Sequence, residues 1–146
     1  MIRLVFVSAF LVVAVTVPLR AGDAKEDLKA MEGEWTPTTG EVGGKPFPDE
    51  VLKTIKLFLK DDSYTVTVGE MTDRGTVKLD ASKTPKTLDI IGTEGPNKGK
   101  TFAAIYELSG DTLKVCYNLS GIERPTEFKT KEGTQHFLVT YKRAKK

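Results

Sequence analysis

The residues best suited to chemistry precede the last predicted strand, where Arg124 is flanked by Glu123 and Glu127. A guanidinium offers a planar fork of N–H donors that matches a carboxylate, so Arg124 could hold an acidic ligand at the mouth of a binding site. Carboxylates grouped with Arg124 in a cleft would instead suit a hydrolase or an isomerase. The interpretation that we favour is structural: Arg124 fastens its own loop to a carboxylate or to backbone carbonyls.

The sequence predicts no metal and no cofactor. His136 and Cys116 are the only imidazole and the only thiol, whereas zinc sites built from these groups need three or four of them. Residues 95–101 (GPNKGKT) fall one residue short of a Walker A loop, whose Lys-Thr pair must open a helix that cradles phosphate. Here the pair opens a predicted strand, so we interpret the segment as a hairpin loop.

Nucleophilic catalysis also lacks support in the sequence. No serine has the surroundings of a nucleophile elbow, and we interpret His136 as a rim or surface residue. Cys116 lies in an apolar run, where a free cysteine is usually a buried structural thiol. A lone cysteine forms no intramolecular disulfide, but a domain of about 125 residues buries enough core without one. We therefore expect a protein that is not an enzyme.

Alternating apolar residues predict β-strands along most of the chain. About eight strands start near residues 34, 54, 63, 74, 87, 101, 112 and 135. Most links are of hairpin length and no helical stretch is long enough for a parallel crossover, so we expect an antiparallel meander. Eight strands can close into a barrel. A two-sheet β-sandwich is the alternative architecture.

Helices and loops are predicted between these strands. A short helix over residues 23–32 has Ala24, Leu28 and Met31 on one face. Residues 48–52 suit a helical turn. Loops are predicted at residues 40–48, 69–73 and 118–125, with a brief extended piece at residues 126–129.

Seven aromatic side chains are expected to point into the barrel: Trp35, Tyr64, Phe102, Tyr106, Tyr117, Phe137 and Tyr141. A hollow interior would make them an apolar pocket with hydroxyls that orient a guest. In that case the candidate ligand-binding residues, in the interior or at the mouth, are Tyr64, Phe102, Tyr106, Tyr117 and Arg124. The alternative is that these side chains simply fill the core. So many large side chains leave little volume in a short barrel, which favours a largely filled interior.

The segment Gly33-Glu34-Trp35 is expected to close the barrel. A tryptophan on the first strand and an arginine on the last strand can meet when a sheet closes on itself. We predict that Trp35 is buried at the closed end, under the Leu28/Met31 face of the short helix. Arg143, or failing that Lys142, should lie across the indole as a cation–π contact.

Several segments carry a resemblance to a known group. Residues 28–35 (LKAMEGEW) resemble the Gly-x-Trp start of lipocalins and related barrels. Other segments resemble the uncharacterised lipocalin-like domains that are numerous among exported planctomycete proteins: residues 44–46, 83–90 with 94–101, 105–116 and 123–128. The resemblance covers nearly all of residues 27–143. It implies a small lipocalin-like barrel outside the cytoplasm, and it implies no reaction.

Residues 1–21 have the three-part pattern of a secretory signal peptide. A basic start precedes an apolar run from Leu4 to Val17, and small residues near Ala21 offer a cleavage site. The run of about 14 residues is shorter than the roughly 20 needed to span a bilayer. We therefore predict a leader over residues 1–21 and a barrel domain over residues 22–146. After cleavage the protein would have no stable membrane span and would be periplasmic or secreted.

The charge balance argues against nucleic acid as a partner. Residues 1–21 hold two of the 22 basic residues and none of the 20 acidic ones, so the remaining chain has a net charge near zero. A strongly basic face is what nucleic acid or an anionic membrane would require. We expect a monomer that binds a small apolar molecule or an envelope protein. The alternative is a structural or interaction module with a filled barrel and no ligand.

Overall fold

The structure, a computed structural model, describes residues 24–121 and 123–144, so the predicted leader at residues 1–21 lies outside the described residues. The described chain contains two short helices, α1 (Ala24–Ala30) and α2 (Asp49–Leu52). Its strands are β1 (Gly33–Val42), β2 (Lys45–Pro46), β3 (Ile55–Lys60), β4 (Ser63–Val68), β5 (Met71–Asp80), β6 (Lys86–Glu94), β7 (Thr101–Ser109), β8 (Thr112–Asn118) and β9 (His136–Arg143). Neither described helix has the length and apolar character that a membrane crossing requires.

The strands form one antiparallel sheet that closes on itself. Strands β3 to β9 each pair with their neighbours in sequence, and β1 pairs with β3 on one side and with β9 on the other. The β1–β9 ladder runs from Trp35 opposite Arg143 to Val42 opposite Phe137. Eight strands make the barrel, and β2 is a two-residue addition beside the end of β1. The predicted all-β, lipocalin-like barrel is confirmed, and the two-sheet sandwich is excluded.

Period-two alternation places the hydrophobic core inside the barrel. In β3, Leu57 and Leu59 are buried, whereas Lys56, Phe58 and Lys60 are exposed. β-Branched and aromatic residues fit such a pleated, half-buried surface. The strand starts predicted from the sequence lie within three residues of the observed ones.

β1 is longer than predicted. The sequence indicated an interruption at Pro37 and a loop from residue 40, but β1 continues to Val42. Proline cannot donate to a ladder, and β3 pairs with β1 only from Gly33 to Trp35, so Pro37 has no β3 partner. A bulge between Pro37 and Thr39 shifts the register with β9, and the β1–β9 pairing resumes beyond it. An unpaired edge and a bulge therefore accommodate the proline.

β5 also begins earlier than predicted, at Met71 instead of near residue 74. The β4–β5 turn is reduced to Gly69 and Glu70, and Gly69 has a φ of 61° that favours glycine. The predicted turn at residues 69–73 is therefore too long. Asp73, assigned to that turn, pairs with Val66 in the ladder. The extended piece predicted at residues 126–129 is also wrong, because that segment pairs with no strand in the described chain.

α2 and Phe47 fill the opening where β1 separates from β3. Gly40 faces this opening, and a Cβ there would lie 3.1 Å from the Phe47 ring and 3.2 Å from the Leu52 side chain. Leu52 is the buried residue of α2. The predicted helical turn at residues 48–52 is confirmed, and its role is to complete the barrel wall.

α1 covers one end of the barrel above Trp35, which has no exposed surface. The indole Nε1 donates to the Met31 carbonyl oxygen at 2.8 Å. Met31 is itself buried, with Leu28 packed against the same core. The Arg143 guanidinium lies 4.3 Å from the indole ring centre. The structure thus brings together the residues that the sequence assigned to barrel closure.

A polar contact fixes α1 in place. The Asp27 carboxylate accepts a hydrogen bond from the Tyr106 hydroxyl at 2.6 Å and from Lys86 Nζ at 2.9 Å. Burial raises the pKa of Tyr106, and the hydrogen bond to Asp27 raises it further. Both partners of Asp27 belong to the barrel, so this acid joins the helix to β6 and β7.

A second apolar layer lies outside the barrel. Ile105 and Cys116 are opposite each other on β7 and β8 and are both buried, although their side chains point outward. The described part of the β8–β9 loop, residues 119–121 and 123–135, covers them, with Pro125 buried and the Lys129 carbonyl oxygen 3.8 Å from Cys116 Sγ. Burial raises the pKa of the Cys116 thiol. The prediction of a buried structural thiol is confirmed.

Candidate functional site

The barrel encloses a cavity of about 250 Å³. Its wall is formed by inward-facing side chains of β3 to β9, most of them aliphatic or aromatic. Met31 borders the cavity at the α1 end, and Met71 and Leu119 border it at the other end. Met71 is 47% exposed and Leu119 is 42% exposed, so the cavity has its mouth at this second end.

The interior is less filled than the number of aromatic side chains led us to expect. Trp35 and Tyr106 pack at the end covered by α1, outside the cavity wall of the described structure. The middle of the barrel is left to smaller side chains, which include Val66, Val77, Ile90 and Val115. The prediction of a largely filled barrel is therefore wrong, because two of its largest rings serve the closed end.

The volume suits a small guest. It exceeds the roughly 150 Å³ of an apolar cavity that takes up benzene. It falls just below the roughly 300–1,000 Å³ of pockets for drug-sized molecules. One ring or one short chain therefore matches the space that the wall leaves open.

Three aromatic rings, those of Phe102, Tyr117 and Phe137, line the mouth side of the cavity, and Phe47 packs against the last of them. Ring centres are 5.7 Å apart for Phe102 and Tyr117, 5.1 Å for Tyr117 and Phe137, and 5.5 Å for Phe137 and Phe47. All three pairs are tilted, which is a favourable arrangement for aromatic side chains. These ring contacts fix the position of Tyr117, whose hydroxyl belongs to the polar part of the site.

One carboxylate, Asp73, stands in this otherwise apolar wall and is 6% exposed. The Tyr64 hydroxyl lies 3.2 Å from Asp73 Oδ2. Asn97 donates to Asp73 twice, from its backbone nitrogen at 3.2 Å and from Nδ2 at 3.0 Å. Burial raises the pKa of Tyr64 to about 12, with the negative charge of Asp73 and the hydrogen bond to it as further causes.

Gly75 makes the Tyr64–Asp73 contact possible. Tyr64 is opposite Gly75 on the neighbouring strand, and a Cβ at Gly75 would lie 2.6 Å from the Tyr64 ring and 2.8 Å from its hydroxyl oxygen. The ring therefore lies over the glycine and extends toward Asp73. A larger residue at position 75 would displace the phenol from the carboxylate.

Two other tyrosine hydroxyls complete the polar part of the site. Tyr117 and Tyr141 both line the cavity, and burial raises the pKa of each. For Tyr117 the neighbouring groups Tyr141, Tyr64 and Asp73 raise the pKa further. All four of these residues line the cavity. Among the described residues, only Tyr64 and Tyr106 hydroxyls are hydrogen-bonded to protein atoms.

The predicted ligand-binding residues divide into two groups. Tyr64, Phe102 and Tyr117 line the cavity. Tyr106 is inside the barrel but belongs to the closed end, where its hydroxyl is bonded to Asp27. Arg124 is neither in the interior nor at the mouth, which corrects the placement that its charge suggested.

Arg124 fastens the β8–β9 loop to the outer face of the barrel. Its Nη1 donates to the carbonyl oxygens of Ala104 at 2.7 Å and Leu88 at 3.2 Å, and its Nη2 pairs with Asp89 at 2.6 Å. The guanidinium thus joins the loop to β6 and β7. This geometry matches the structural interpretation of Arg124, in which the guanidinium fastens its own loop. Both predicted kinds of acceptor, a carboxylate and backbone carbonyls, are used.

An open groove on the outer face contains Arg124 together with Asp89 and Asp80. Asp89 is committed to Arg124. Asp80 accepts from the Ser82 hydroxyl at 2.5 Å and from the Ser82 backbone nitrogen at 3.0 Å, and these bonds lower the Asp80 pKa. A carboxyl that acts as a general acid needs a raised pKa, so Asp80 is shifted in the opposite direction.

The charged centre of the cavity, Asp73, is not among the residues that the sequence predicts for the site. The turn predicted at residues 69–73 includes Asp73, although the alternation of Gly75, Val77 and Leu79 extends back to it at period two. Asn97 reaches Asp73 from the β6–β7 loop, a contact between residues far apart in sequence. The alternation could have placed Asp73 inside, but no local pattern indicates its partner.

Comparison of the chain with protein-family models, curated proteins and solved structures found no match.

Proposed function

We propose that this protein is an exported, non-enzymatic, lipocalin-like binding domain that holds one small apolar molecule inside its barrel. The observation that carries the proposal is the cavity of about 250 Å³ with an apolar wall and a mouth at Met71 and Leu119. Concave, mostly apolar sites with a few converging polar groups are typical of small-molecule binding. Tyr64, Phe102 and Tyr117 are the contacts expected from both sequence and geometry.

Export and family are part of the same proposal. The leader pattern of residues 1–21 supports delivery to the periplasm or the medium. The resemblance to the lipocalin-like domains of exported planctomycete proteins supports the same compartment. In that setting a monomeric barrel would carry or buffer its ligand outside the cytoplasm.

The absence of catalysis is proposed from the way the polar groups are used. Arg124 and Asp89 are paired with each other on the outer face. Asp73 is held by neutral donors inside the barrel. Binding explains a polar group in an apolar cavity without requiring a reacting pair.

Titration with toluene, followed by the amide chemical shifts of the purified protein, tests the proposal. We expect saturable shifts for residues of the cavity wall. Val77→Phe places a ring in the cavity and should abolish them. Thr76→Phe places the same ring on the outer face of β5 and is the matched control, which should still bind.

Two results would contradict binding inside the barrel. One is the absence of saturable shifts in the native protein. The other is equal uptake by Val77→Phe and Thr76→Phe, which would place the ligand elsewhere. A barrel that takes up no ligand but retains an envelope protein in a pull-down would support the interaction module instead.

A further inference from the structure

Asp73 is the only charged side chain among the described residues that line the cavity. It is not one of the carboxylates that form ion pairs within the described chain. Its donors, the Tyr64 hydroxyl and two nitrogens of Asn97, are neutral. Burying a charge is costly unless an opposite charge accompanies it. A negative charge therefore stands beside an apolar cavity without a positive partner.

Oxygen atoms without protein partners face the same volume. Tyr141 is 8% exposed, yet its hydroxyl and that of Tyr117 make no hydrogen bond to another described residue. No side-chain oxygen of the described chain is both fully buried and unpartnered. The two hydroxyls must therefore reach open space, and both residues line the cavity.

We propose that the ligand of the cavity is a small primary amine with an apolar body, bound with its ammonium group at Asp73. This inference rests on the proposed function, since it names the ligand class of the same site. An ammonium group carries three N–H donors and no acceptor. Asp73 supplies the opposite charge, and the Tyr117 and Tyr141 hydroxyls supply further acceptors.

The same groups discriminate against other head groups. A carboxylate ligand would meet the like charge of Asp73 in a poorly solvated space, where charge repulsion is weakly screened. A neutral ligand would leave Asp73 without a positive partner. The aromatic faces of Tyr117 and Phe102 attract an ammonium group through cation–π interactions. Their attraction for a neutral head group is weaker.

Asp73 also has a structural role that must be separated from ligand binding. Through Asn97 it holds the β6–β7 loop, and that loop packs closely enough that a Cβ at Gly95 would lie 3.1 Å from Asp73 Oδ1. If the role of Asp73 were purely structural, the protein would show no preference among ligand head groups. The preference itself is therefore the quantity to measure.

Calorimetric titration of the purified protein near neutral pH can compare 2-phenylethylamine, 2-phenylethanol and phenylacetate. These probes share one ring and a similar length, and they differ in the charge of the head group. We expect the amine to bind about tenfold or more tightly than the alcohol, a difference of about 1.4 kcal/mol. Phenylacetate should bind most weakly.

Variants show which residue causes the preference for the amine over the alcohol. Asp73→Asn should bring the affinity for the amine down to that for the alcohol and change the alcohol little. Asp80→Asn removes a carboxylate from the outer face of the same strand and should keep the preference. Tyr141→Phe, which keeps the ring, should lower the affinity for the amine about tenfold, the lower end of the worth of one hydrogen bond to a charged group.

The outcomes separate the two proposals. Equal or tighter binding of the alcohol than of the amine by the native protein would overturn the amine assignment and leave apolar binding intact. A preference that survives in Asp73→Asn would overturn it as well. If none of the three probes binds, the proposed function fails, and the ligand class fails with it.

Discussion

The Arg143 guanidinium lies over the Trp35 indole at 4.3 Å from the ring centre, and this contact joins the last strand of the barrel to the first. Arg143 also donates to the carbonyl oxygens of Ala30 at 2.5 Å and Glu32 at 2.7 Å. These oxygens lie at and just beyond the C-terminal end of α1, where unpaired carbonyls need donors. One side chain therefore connects both ends of the sheet with the helix that covers them.

Replacing Trp35 should destabilise the protein strongly. Trp35→Ala removes a fully buried ring, a change that typically costs about 3–5 kcal/mol in a core. Urea unfolding would measure the loss in free energy of unfolding. Exposed Phe58→Ala is a suitable control, since surface changes are usually within about 0.5 kcal/mol. A cost below about 1 kcal/mol for Trp35→Ala would mean that the ring does not hold the closed end.

Gly33 is required by two separate features of the closed end. Its φ is 124°, and a Cβ would lie 3.3 Å from Arg143 Nη1. Gly33→Ala should therefore cost about 1–3 kcal/mol, the usual range for a strained backbone. Gly110→Ala is the control for crowding by Arg143. The φ of Gly110, 57°, is also positive, but no atom lies within 4 Å of a Cβ placed there.

The crowding at Gly33 can be isolated from the backbone strain. Arg143→Met removes the guanidinium, so Gly33→Ala should cost less in that background than in the native protein. The difference is a coupling free energy of the kind that double-mutant cycles measure. Equal costs in the two backgrounds would show that Arg143 does not limit the space at Gly33.

The fold was largely predictable because its determinants are local. Period-two alternation and turn residues predicted the strands, and hairpin-length links predicted their antiparallel pairing. The errors at Pro37 and Met71 have a different origin. A proline is tolerated where the neighbouring strand has already separated, and a turn shortens when a single glycine permits it. Both depend on tertiary geometry, which no local pattern contains.

Releasing Arg124 should expose the outer apolar layer and leave the cavity unchanged. Arg124→Leu removes the contacts to Ala104, Leu88 and Asp89 that hold the β8–β9 loop. Cys116, which is fully buried beneath that loop, should then react faster with a thiol reagent such as DTNB. Toluene uptake should stay the same.

A control variant in the same loop tests whether the change in Cys116 reactivity is specific to Arg124. Lys131→Leu changes an exposed residue of the same loop and should leave the Cys116 rate as it is. Loss of ligand binding in Arg124→Leu, with no change in thiol reactivity, would assign Arg124 to a binding site. It would contradict the role in fastening the loop.

Tyrosine ionisation should make stability fall at high pH. The Tyr64 pKa is raised from 10.0 to about 12, and those of Tyr106, Tyr117 and Tyr141 are also raised. Above pH 10 the unfolded chain therefore loses protons that the native protein keeps, so the free energy of unfolding decreases as pH rises. Below pH 10 this contribution is fully present.

Urea unfolding between pH 9 and pH 12 would measure this slope, which spans pH 10 to about 12 for Tyr64. Tyr64→Phe, which has no hydroxyl to ionise, should decrease less steeply than the native protein. Tyrosinate absorbance should appear together with unfolding. Its appearance at pH 10 in fully folded protein would show that the phenols are more solvated than the structure indicates.

The candidate site was only partly predictable from the sequence. Alternation placed Tyr64, Phe102 and Tyr117 in the interior, where they line the cavity. The cavity itself depends on which large side chains pack at the closed end and which pack in the middle of the barrel. Tyr106 packs at the closed end, where its hydroxyl is bonded to Asp27. The Asp73 cluster depends on Gly75 and on a loop contact from Asn97. Such features follow from packing in three dimensions.

Anomalous diffraction from crystals of the protein under xenon pressure would show directly whether the barrel contains an apolar cavity. Xenon enters dry apolar cavities, so we expect a peak inside the barrel, bordered by Leu57, Ile90 and Val115. The peak should be lost in Val77→Phe and kept in Thr76→Phe. An interior without xenon in the native protein, or a peak confined to the outer face, would contradict a binding cavity in this barrel.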